Sequence, residues 1–324
     1  MELRYGEIGE NTRIRSVELT IDRAGVRSKE KRIGSKTISF PLTDPARLGE
    51  MAVIESCNAL SAKGVVPMTM RAEILLPPGT DEQTLRIITE RICRTCAEQD
   101  MKMEDIHAEV TSAVTRPVVT ASCSGCPADD TVSCIHKKPS AGDLKAADHI
   151  VMTKWAALEG TWLLASETGE RLRERFPERI LETARSTRKL LSVRREAEIA
   201  GHSIMEDLAE GGILAALWRL SEHTKKGFRV DLLSVPLLQE TIEITDYLGI
   251  NPYEMRSAGS LLIVTDEPER MIEALENESI PAAVIGRMTE DRDKLLMIRD
   301  EIRYLDRPQA DALWKVFETC KGGK

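Results

Sequence analysis

One helix with clear signals at both ends places the strongest constraint on how this chain can fold. Asp44 stands where helices favour an N-cap, Pro45 follows at the first helical position, and Gly64 comes just after the last helical residue. The pattern predicts a helix over 45–63. Strand-like sequence precedes it within 13–42 and resumes directly after it, so we expect this helix to pack on a sheet.

The first half of the chain continues this alternation of strand and helix patterns. IRSVELTI and KTISFPL read as strands before the helix, and VVPMTMRAEILL reads as a strand after it. Leu85, Ile88, Ile92 and Cys96 then recur at helical spacing through about residue 98. HAEVTSAVTRPVVTA is again rich in strand formers, and the polar segment CSGCPADDTVSCIHKKPSAGD is predicted to be turn-rich. The predicted unit is a sheet layered with helices.

The second half opens with a predicted strand, ADHIVMTKWA, and a helix that begins near Leu158. A long charged helical region follows, and Pro177 is expected to break it. GHSIMEDLAEGGILAALW predicts a strand, a glycine turn and a helix that Gly227 closes. KLLMIRDEIRYL reads as one strand, and a last helix runs through Trp314 and Phe317. This order predicts an α+β unit with a mainly antiparallel sheet.

Composition limits the number of domains and the class of partner. A chain of 324 residues with 42% apolar content exceeds the usual size of one domain, so two are predicted, over 1–145 and 146–324. The formal charge of −8 with both signs scattered gives no basic face for nucleic acid or an anionic membrane. No signal-peptide core and no run of about 18 apolar residues occurs, so we expect a soluble, cytoplasmic protein.

The segment MEDLAEGGI, residues 205–213, is the sharpest candidate for a binding site. Gly211 and Gly212 precede a predicted helix and could expose backbone N–H groups at its positive end, a geometry that binds phosphate. Asp207 could hold a magnesium ion that neutralises a polyphosphate. The alternative is a tight turn in which Asp207 caps the helix, and spacing alone leaves both open.

Four further residues each have a binding and a structural interpretation. Asp44 could coordinate magnesium at a strand-to-helix junction, or serve only as an N-cap. His107 and Glu109 share one face of a predicted strand and could reach a cleft, or they could form a solvated face. Lys154 could meet a phosphate at the end of a strand, or it could be an exposed strand-end lysine.

The seven cysteines give an odd count for a disulfide framework. Cys93 and Cys96 fit the packing of an amphipathic helix, and packing also suits Cys320, although a mobile thiol there could accept a transferred group. A separate set in the predicted turn-rich segment could bind zinc or an iron–sulfur cluster, or consist of unpaired thiols. Its members are Cys123, Cys126, Cys134 and His136.

The order of segments over about residues 40–305 resembles the superfamily of aminoimidazole ribonucleotide (AIR) synthetase. That superfamily includes selenophosphate synthetase, thiamine-monophosphate kinase and the hydrogenase-maturation carbamoyl dehydratase. The segments that carry the likeness are TDP before a helix, NALSAKGVVPMTMRAEILLPPG, HAEVTSAVTRPVV, GDLKAADHIVMTKWAALEGTWLLA, MEDLAEGGILAALW and SAGSLLIVT. The second and fifth are fairly specific as a pair in this order.

The resemblance implies a fold, a cofactor and a reaction. It implies an N-terminal mixed sheet that pairs across a homodimer into a barrel, a C-terminal α+β domain, and ATP with Mg²⁺ in the cleft between the domains. The implied reaction transfers a phosphoryl group from ATP to an oxygen of a small molecule, or of an activated group carried by a partner protein. The residues that match the superfamily's nucleotide site are Asp44, Glu109, Thr111, Asp207, Gly211 and Gly212, with Asp44 and Asp207 as magnesium ligands. Lys154 joins this predicted site only through its position at the end of a strand.

The sequence also departs from the superfamily pattern. Glu104 and Asp105 stand where a glycine pair usually precedes the His-Thr-Glu motif, and the usual nucleotide-binding strand is not recognisable before residue 40. The chain continues past Cys320 with Lys-Gly-Gly-Lys, whereas the hydrogenase-maturation branch ends in cysteine. These departures support an alternative: a catalytically degenerate relative that acts as a metal-binding or assembly factor through its cysteine-rich loop.

Overall fold

A computed structural model of the chain describes residues 16–17, 19–24, 33–127 and 148–319, which form a four-stranded and a seven-stranded sheet with their helices. The strands are β1 (Ile33–Ile38), β2 (Val65–Leu76), β3 (Lys102–Val110), β4 (Val118–Pro127), β5 (His149–Thr153), β6 (Ile204–Asp207), β7 (Gly227–Asp231), β8 (Leu261–Thr265), β9 (Ala282–Thr289), β10 (Lys294–Ile298) and β11 (Glu301–Tyr304). The helices are α1 (Leu19–Ala24), α2 (Ala46–Ser61), α3 (Glu82–Glu98), α4 (Leu158–Glu167), α5 (Gly169–Arg173), α6 (Glu178–Ser186), α7 (Arg194–Ala200), α8 (Gly212–Thr224), α9 (Gln239–Leu248), α10 (Pro268–Glu276) and α11 (Leu313–Thr319). The predicted α+β class is confirmed.

The first sheet is mixed, as predicted. Its order is β1-β4-β2-β3, and β4 runs antiparallel to both of its neighbours while β2 and β3 are parallel. Helices α2 and α3 pack on one face. The opposite face is lined by hydroxyl pairs such as Ser35–Ser122 at 2.8 Å and Thr37–Thr120 at 2.9 Å. That face is exposed in a single copy of the chain, and the dimer barrel stays a prediction.

The second sheet is mainly antiparallel, which confirms the prediction for this half. Its order is β11-β10-β7-β9-β5-β8-β6, and within it only β7 and β10 pair in parallel. Both faces are covered, as alternate residues of β5 show. Ile150 and Met152 join the core cluster beneath α8, whereas Val151 joins the cluster beneath α7 and α10.

The largest apolar cluster joins the two halves of the chain. It contains Leu48 and Ile54 of α2, Leu158 and Leu163 of α4, and Phe317 near the C-terminus. Because α2 contacts both its own sheet and the second half, it is buried on nearly every side. The residues considered below lie along this junction.

Several local predictions are wrong, for identifiable reasons. The strand predicted over 14–21 is helix α1 where the structure describes it, and that segment has no strand partner among the described residues. The segment 123–127, predicted as turn, belongs to β4 because distant strands β1 and β2 pair with it. Residues 294–304 form two strands with a turn at Arg299, whose φ is +55°. Lys225, rather than Gly227, closes α8 in the left-handed conformation.

Other predicted helix boundaries are confirmed. The helix predicted over 45–63 is α2, and Pro177 separates α5 from α6. The predicted boundary near residue 145 lies outside the described residues, so the two-domain division stays a prediction. No helix in the described part of the chain is long and apolar enough to cross a membrane.

Candidate functional site

The predicted strand, glycine turn and helix around Gly211 form as expected. β6 ends at Asp207, and Gly211 and Gly212 take φ values of +76° and +64° before α8 begins its 13 residues. A Cβ atom on Gly212 would lie 2.5 Å from the carbonyl oxygen of Tyr253 and 2.6 Å from that of Met255. Only glycine satisfies both the backbone angle and the close approach, so the junction depends on this pair.

Asp207 lies beside this turn and does not cap the helix. Gly211 occupies the N-cap position of α8, which has no side-chain cap hydrogen bond. The Asp207 backbone carbonyl accepts a hydrogen bond from the Arg219 guanidinium at 2.8 Å, which fixes the end of β6 against α8. Its Oδ2 atom is buried from solvent. The capping interpretation of Asp207 is therefore wrong, and its carboxylate lies within the fold at the edge of the glycine turn.

A carboxylate from the C-terminal segment already bonds the first amide of the glycine pair. The N–H of Gly211 donates to Oδ2 of Asp311 at 2.8 Å, and the N–H of Leu313 donates to Oδ1 at 3.0 Å. Asp311 is 1% exposed. Burial raises its pKa to about 7, while the Arg256 charge and the two N–H donors act in the opposite direction. The amide thus donates to a carboxyl oxygen in this structure.

Arg256 is the centre of a buried charge cluster at this point. Its guanidinium pairs with Glu55 of α2, lies 3.3 Å from Glu159 of α4 and 3.7 Å from Glu210. With Asp311 nearby, four carboxylates surround one guanidinium. Arg256, Glu55 and Glu159 are each at most 3% exposed. Since the two glutamates come from different halves of the chain, this cluster ties the halves together beside the glycine turn.

The excess of carboxylates perturbs the protonation of Glu159. Burial raises the pKa of Glu159 well above its usual range, and the negative charge of Glu55 raises it further, while Arg256 lowers it. A carboxyl in this position holds its proton to a higher pH than a solvated one. The cluster therefore favours either a bound proton or additional positive charge.

Asp44 makes the contacts of a helix cap. Its Oδ1 accepts from the N–H of Ala46 at 3.0 Å, and its Oδ2 lies 3.5 Å from the Arg47 guanidinium. Arg47 also pairs with Glu167 at the end of α4, and the Thr43 N–H and hydroxyl both donate to that carboxylate at 2.6 Å. The capping contact is present, from the residue before the assigned N-cap Pro45, and the Asp44 side chain stays 36% exposed.

His107, Glu109 and Thr111 lie at the end of the first sheet. His107 and Glu109 are exposed on β3, and the Thr111 N–H donates to the carbonyl of Leu76 at 2.9 Å. Among the described residues, no hydrogen bond or ion pair joins their side chains to the Gly211 turn. The predicted strand face is confirmed, whereas the assignment of Glu109 and Thr111 to a nucleotide stays a prediction.

Lys154 is buried, which corrects the interpretation as an exposed strand-end lysine. Its ammonium donates to the carbonyls of Leu190 and Ser192 at 2.7 Å each and pairs with Glu196 at 2.5 Å. Burial lowers the pKa of Lys154, while Glu196 raises it. An ammonium has three protons, and these three acceptors use them all. No proton is left for a phosphate in this arrangement.

The cysteine set is only partly described, and its two described members diverge. Cys123 and Cys126 are three positions apart on β4, so their side chains point to opposite faces of the sheet. Cys123 is buried and donates to the carbonyl of Ser56 at 3.0 Å. Cys134 and His136 lie outside the described residues. Within the described part of the chain, no group of three or more metal-binding side chains occurs.

The helix cysteine Cys96 is buried, which confirms its packing interpretation. Burial raises the pKa of its thiol to about 12, so it is uncharged at neutral pH. Cys93 is exposed on the outer side of the same helix. Cys320 lies outside the described residues.

The charge cluster was missed in the sequence, although a signal for it exists. Glu55 and Glu159 each stand inside an apolar stretch, MAVIESCNAL and WAALEGTWLLA. A carboxylate inside a helix that is apolar on nearly every side must be buried, and buried carboxylates require a partner. The identity of that partner, Arg256, could not be read from the sequence because it lies about 200 residues from Glu55.

Comparison with known proteins matches this fold to one group. Residues 145–298 match the family model described as AIR synthase related protein, C-terminal domain. A putative hydrogenase expression/formation protein of Methanocaldococcus jannaschii is 24% identical over 287 residues, which cover 87% of this chain and 81% of that protein. Carbamoyl dehydratase HypE of Rhodobacter capsulatus is 24% identical over 259 residues, 77% of this chain and 71% of that protein.

Solved structures share the arrangement of both sheets. A chain in the HypE–HypF complex superposes with a TM-score of 0.69 at 17% identity, over 92% of this chain and 99% of that one. HypE in complex with ATP superposes with a TM-score of 0.66 at 15% identity, over 95% and 97%. At these identities the structures show a common fold. Together with the family match over 145–298 and the relatives that span most of its length, this fold supports the AIR synthase-like superfamily for the chain.

Proposed function

We propose that the chain is an ATP-dependent enzyme that transfers a phosphoryl group to an oxygen of a small molecule, or of a group carried by a partner protein. The observation that carries this proposal is the turn at Gly211 and Gly212, with its left-handed backbone directly before α8. The N-terminus of a helix of this length carries a partial positive charge and N–H donors suited to phosphate. A structural neighbour that was solved in complex with ATP supports it.

Magnesium is part of the same proposal. Asp207 ends β6 just before the glycine turn, with Oδ2 of its carboxylate buried, and Asp44 is partly exposed at the start of α2. Carboxylate oxygens are the ligands that Mg²⁺ prefers, and the ion would neutralise phosphate charge in a region already rich in carboxylates. Glu109 and Thr111 are assigned to the nucleotide by superfamily likeness alone. Lys154 is left out, because its protons are used within the fold.

A homodimer and a partner protein complete the proposal. The open face of the first sheet and its ends carry exposed apolar side chains, namely Ile33, Met68 and Val110. Apolar side chains at a sheet of this kind support pairing with a second copy. The solved complex of a structural neighbour with HypF supports a partner protein. We assign the activated group to that partner as part of the proposal.

One observation favours the second candidate, a member of the superfamily without catalysis. The Gly211 amide is bonded to Asp311, and no other anion can use that proton while the bond lasts. In this candidate the chain would act in assembly, with any zinc or iron–sulfur site built around residues beyond those described. Cys123 and Cys126 alone do not support such a site, because they face opposite ways.

Calorimetric titration with a nonhydrolysable ATP analogue and Mg²⁺ tests the proposal. We expect micromolar binding by the wild type and loss of at least about tenfold in affinity in Asp207→Ala. Asp246→Ala is the matched control, since Asp246 is exposed on α9 and its loss should change nothing. Equal binding by Asp207→Ala and wild type would place the nucleotide elsewhere. No binding by the wild type or by any folded variant that keeps Asp207 would contradict the proposal.

A further inference from the structure

Residues 305–319 cross the junction between the two halves, and we call them the C-terminal strap. The strap leaves β11 at Leu305, whose N–H donates to the carbonyl of Lys294 at 2.7 Å. It is bonded again where the Ala312 N–H donates to the carbonyl of Glu254 at 3.1 Å. Beyond this point it forms α11 against the first half. The strap is therefore connected to the second sheet at one end and packed on the junction at the other.

The packed end of the strap is apolar and contacts one aromatic residue of the first half. The rings of Trp314 and Phe317 lie 4.5 Å and 5.3 Å from the ring of Phe40. The Arg256 guanidinium lies over the same Phe40 ring at 5.8 Å. Leu313 and Phe317 are almost fully buried. These contacts hold Asp311 against the Gly211 turn.

The connecting part of the strap is built differently. Residues 306–310 have no regular secondary structure, and all but Pro308 are exposed. Because α11 has only seven residues and takes no part in either sheet, it can leave the junction while both sheets keep their pairing. The strap thus has two parts: an anchor, residues 311–317, that is packed on the junction, and an exposed connection, residues 306–310.

The anchor places a carboxylate oxygen on the proton that a phosphate would need. The Gly211 N–H has one proton, and Oδ2 of Asp311 accepts it at 2.8 Å. A second anion at that amide would also stand next to the Asp311 carboxyl, which repels it once the pH exceeds the Asp311 pKa of about 7. A phosphate can bond this amide only after Asp311 has moved away.

We infer that the C-terminal strap and a nucleotide phosphate compete for the Gly211 amide, so that strap docking holds the site closed and nucleotide binding displaces the strap. This inference rests on the proposed nucleotide site and assigns its regulation. A closed form reduces the apparent affinity by the fraction of molecules that are open. Any change that frees the amide or loosens the anchor therefore strengthens nucleotide binding.

The test uses the full chain, Mg²⁺ and a nonhydrolysable ATP analogue at pH 8. Asp311→Ala removes the competing oxygen, and Trp314→Ala removes the aromatic anchor. Both are expected to bind the analogue about tenfold more tightly than the wild type. This is the expected change in affinity if the strap is docked in about nine of ten wild-type molecules and undocked in the variants. Asp306→Ala, in the exposed connection, and Tyr247→Ala, an exposed aromatic on α9, are matched controls and should bind like the wild type.

Hydrogen–deuterium exchange of the wild type gives a second, independent readout. Analogue binding should increase exchange in the peptide that covers 311–317, because displacement exposes its amides. This readout decides the question even if one variant does not fold, which thermal unfolding would reveal.

The outcomes separate the two proposals. Variants that bind no more tightly than the wild type, or an analogue that binds while 311–317 stays protected, would overturn the competition and leave the nucleotide site standing. Weaker binding by Asp311→Ala would show that this carboxylate supports the site, which also overturns the competition. If no folded variant binds the analogue, the nucleotide site fails and the competition fails with it.

Discussion

Two buried glutamates of helix α2, five positions apart, belong to clusters with opposite charge balance. Glu50 pairs with Arg91 at 2.9 Å and also with Arg188, which in turn lies 2.8 Å from Glu98. Arg94 also lies 3.2 Å from Glu98, so that cluster has two carboxylates and three guanidinium groups. Glu55, in contrast, shares the single guanidinium of Arg256 with three other carboxylates. Both clusters join the first half of the chain to the second.

The difference separates a structural contact from a candidate site. A buried charge is costly unless it is compensated, so a cluster whose carboxylates all have guanidinium partners has little tendency to bind a proton or a further cation. A cluster with four carboxylates and one guanidinium does have a tendency to bind a proton or a cation, and this one lies next to the glycine turn at Gly211 and Gly212. The unbalanced cluster is also the one that the C-terminal strap covers, through Asp311.

The largest effect should come from removing Arg256. Arg256→Met leaves Glu55 and Glu159, each 1% exposed, without their cation, and we expect a loss of about 3–5 kcal/mol in the free energy of unfolding. Arg188→Met should cost only about 1–2 kcal/mol, because Arg91 still pairs with Glu50. Urea unfolding of both variants checks the comparison, and equal losses would contradict the difference in charge balance.

The loss of one carboxylate should change the free energy of unfolding differently in the two clusters. At pH 8, Glu50→Gln removes the shared acceptor of two arginines and should cost about 2 kcal/mol. Glu159→Gln should stay within about 0.5 kcal/mol of the wild type or exceed it, since burial and Glu55 already disfavour its charge. Thermal and urea unfolding would measure both, and a large loss in Glu159→Gln would show that its charge is needed.

The sequence predicted those parts of the fold that local signals control. Helix α2, the break at Pro177 and the turn at Gly211 follow from caps, a missing N–H and backbone freedom, all within a few residues. Helix α1 is an exception, because an alternating pattern specifies a strand only where a neighbouring strand exists to pair with it. Sequence signals that act on the local backbone, such as helix caps, proline and glycine, therefore predict the ends of helices and turns correctly.

Features that depend on distant partners were missed. Residues 123–127 became strand because Met70 and its neighbours pair with Cys123, more than 50 positions away. Lys154 is buried because Glu196 and two distant carbonyls surround its ammonium. The same is true of the site, where the glycine turn was visible in sequence but the Asp311 carboxylate that bonds it was not.

The smallest of these effects concerns the pH dependence of the unbalanced cluster. The folded-state pKa of Asp311, about 7, lies above its ordinary value of 3.8 because of burial, with Glu210 adding to the rise and Arg256 and the Gly211 and Leu313 N–H groups opposing it. A raised folded pKa contributes stability at low pH that is lost as the pH rises through that value. Between pH 6 and pH 8 the wild type should lose about 1.4 kcal/mol relative to Asp311→Asn, which cannot titrate. The measurement is the difference in unfolding free energy at each pH, so that other titrating groups cancel. If the difference stays constant from pH 6 to pH 8, Asp311 remains ionised throughout, and the cluster is better compensated than its single arginine suggests. If the difference changes as expected, the hydrogen bond that closes the glycine turn depends on pH in the neutral range.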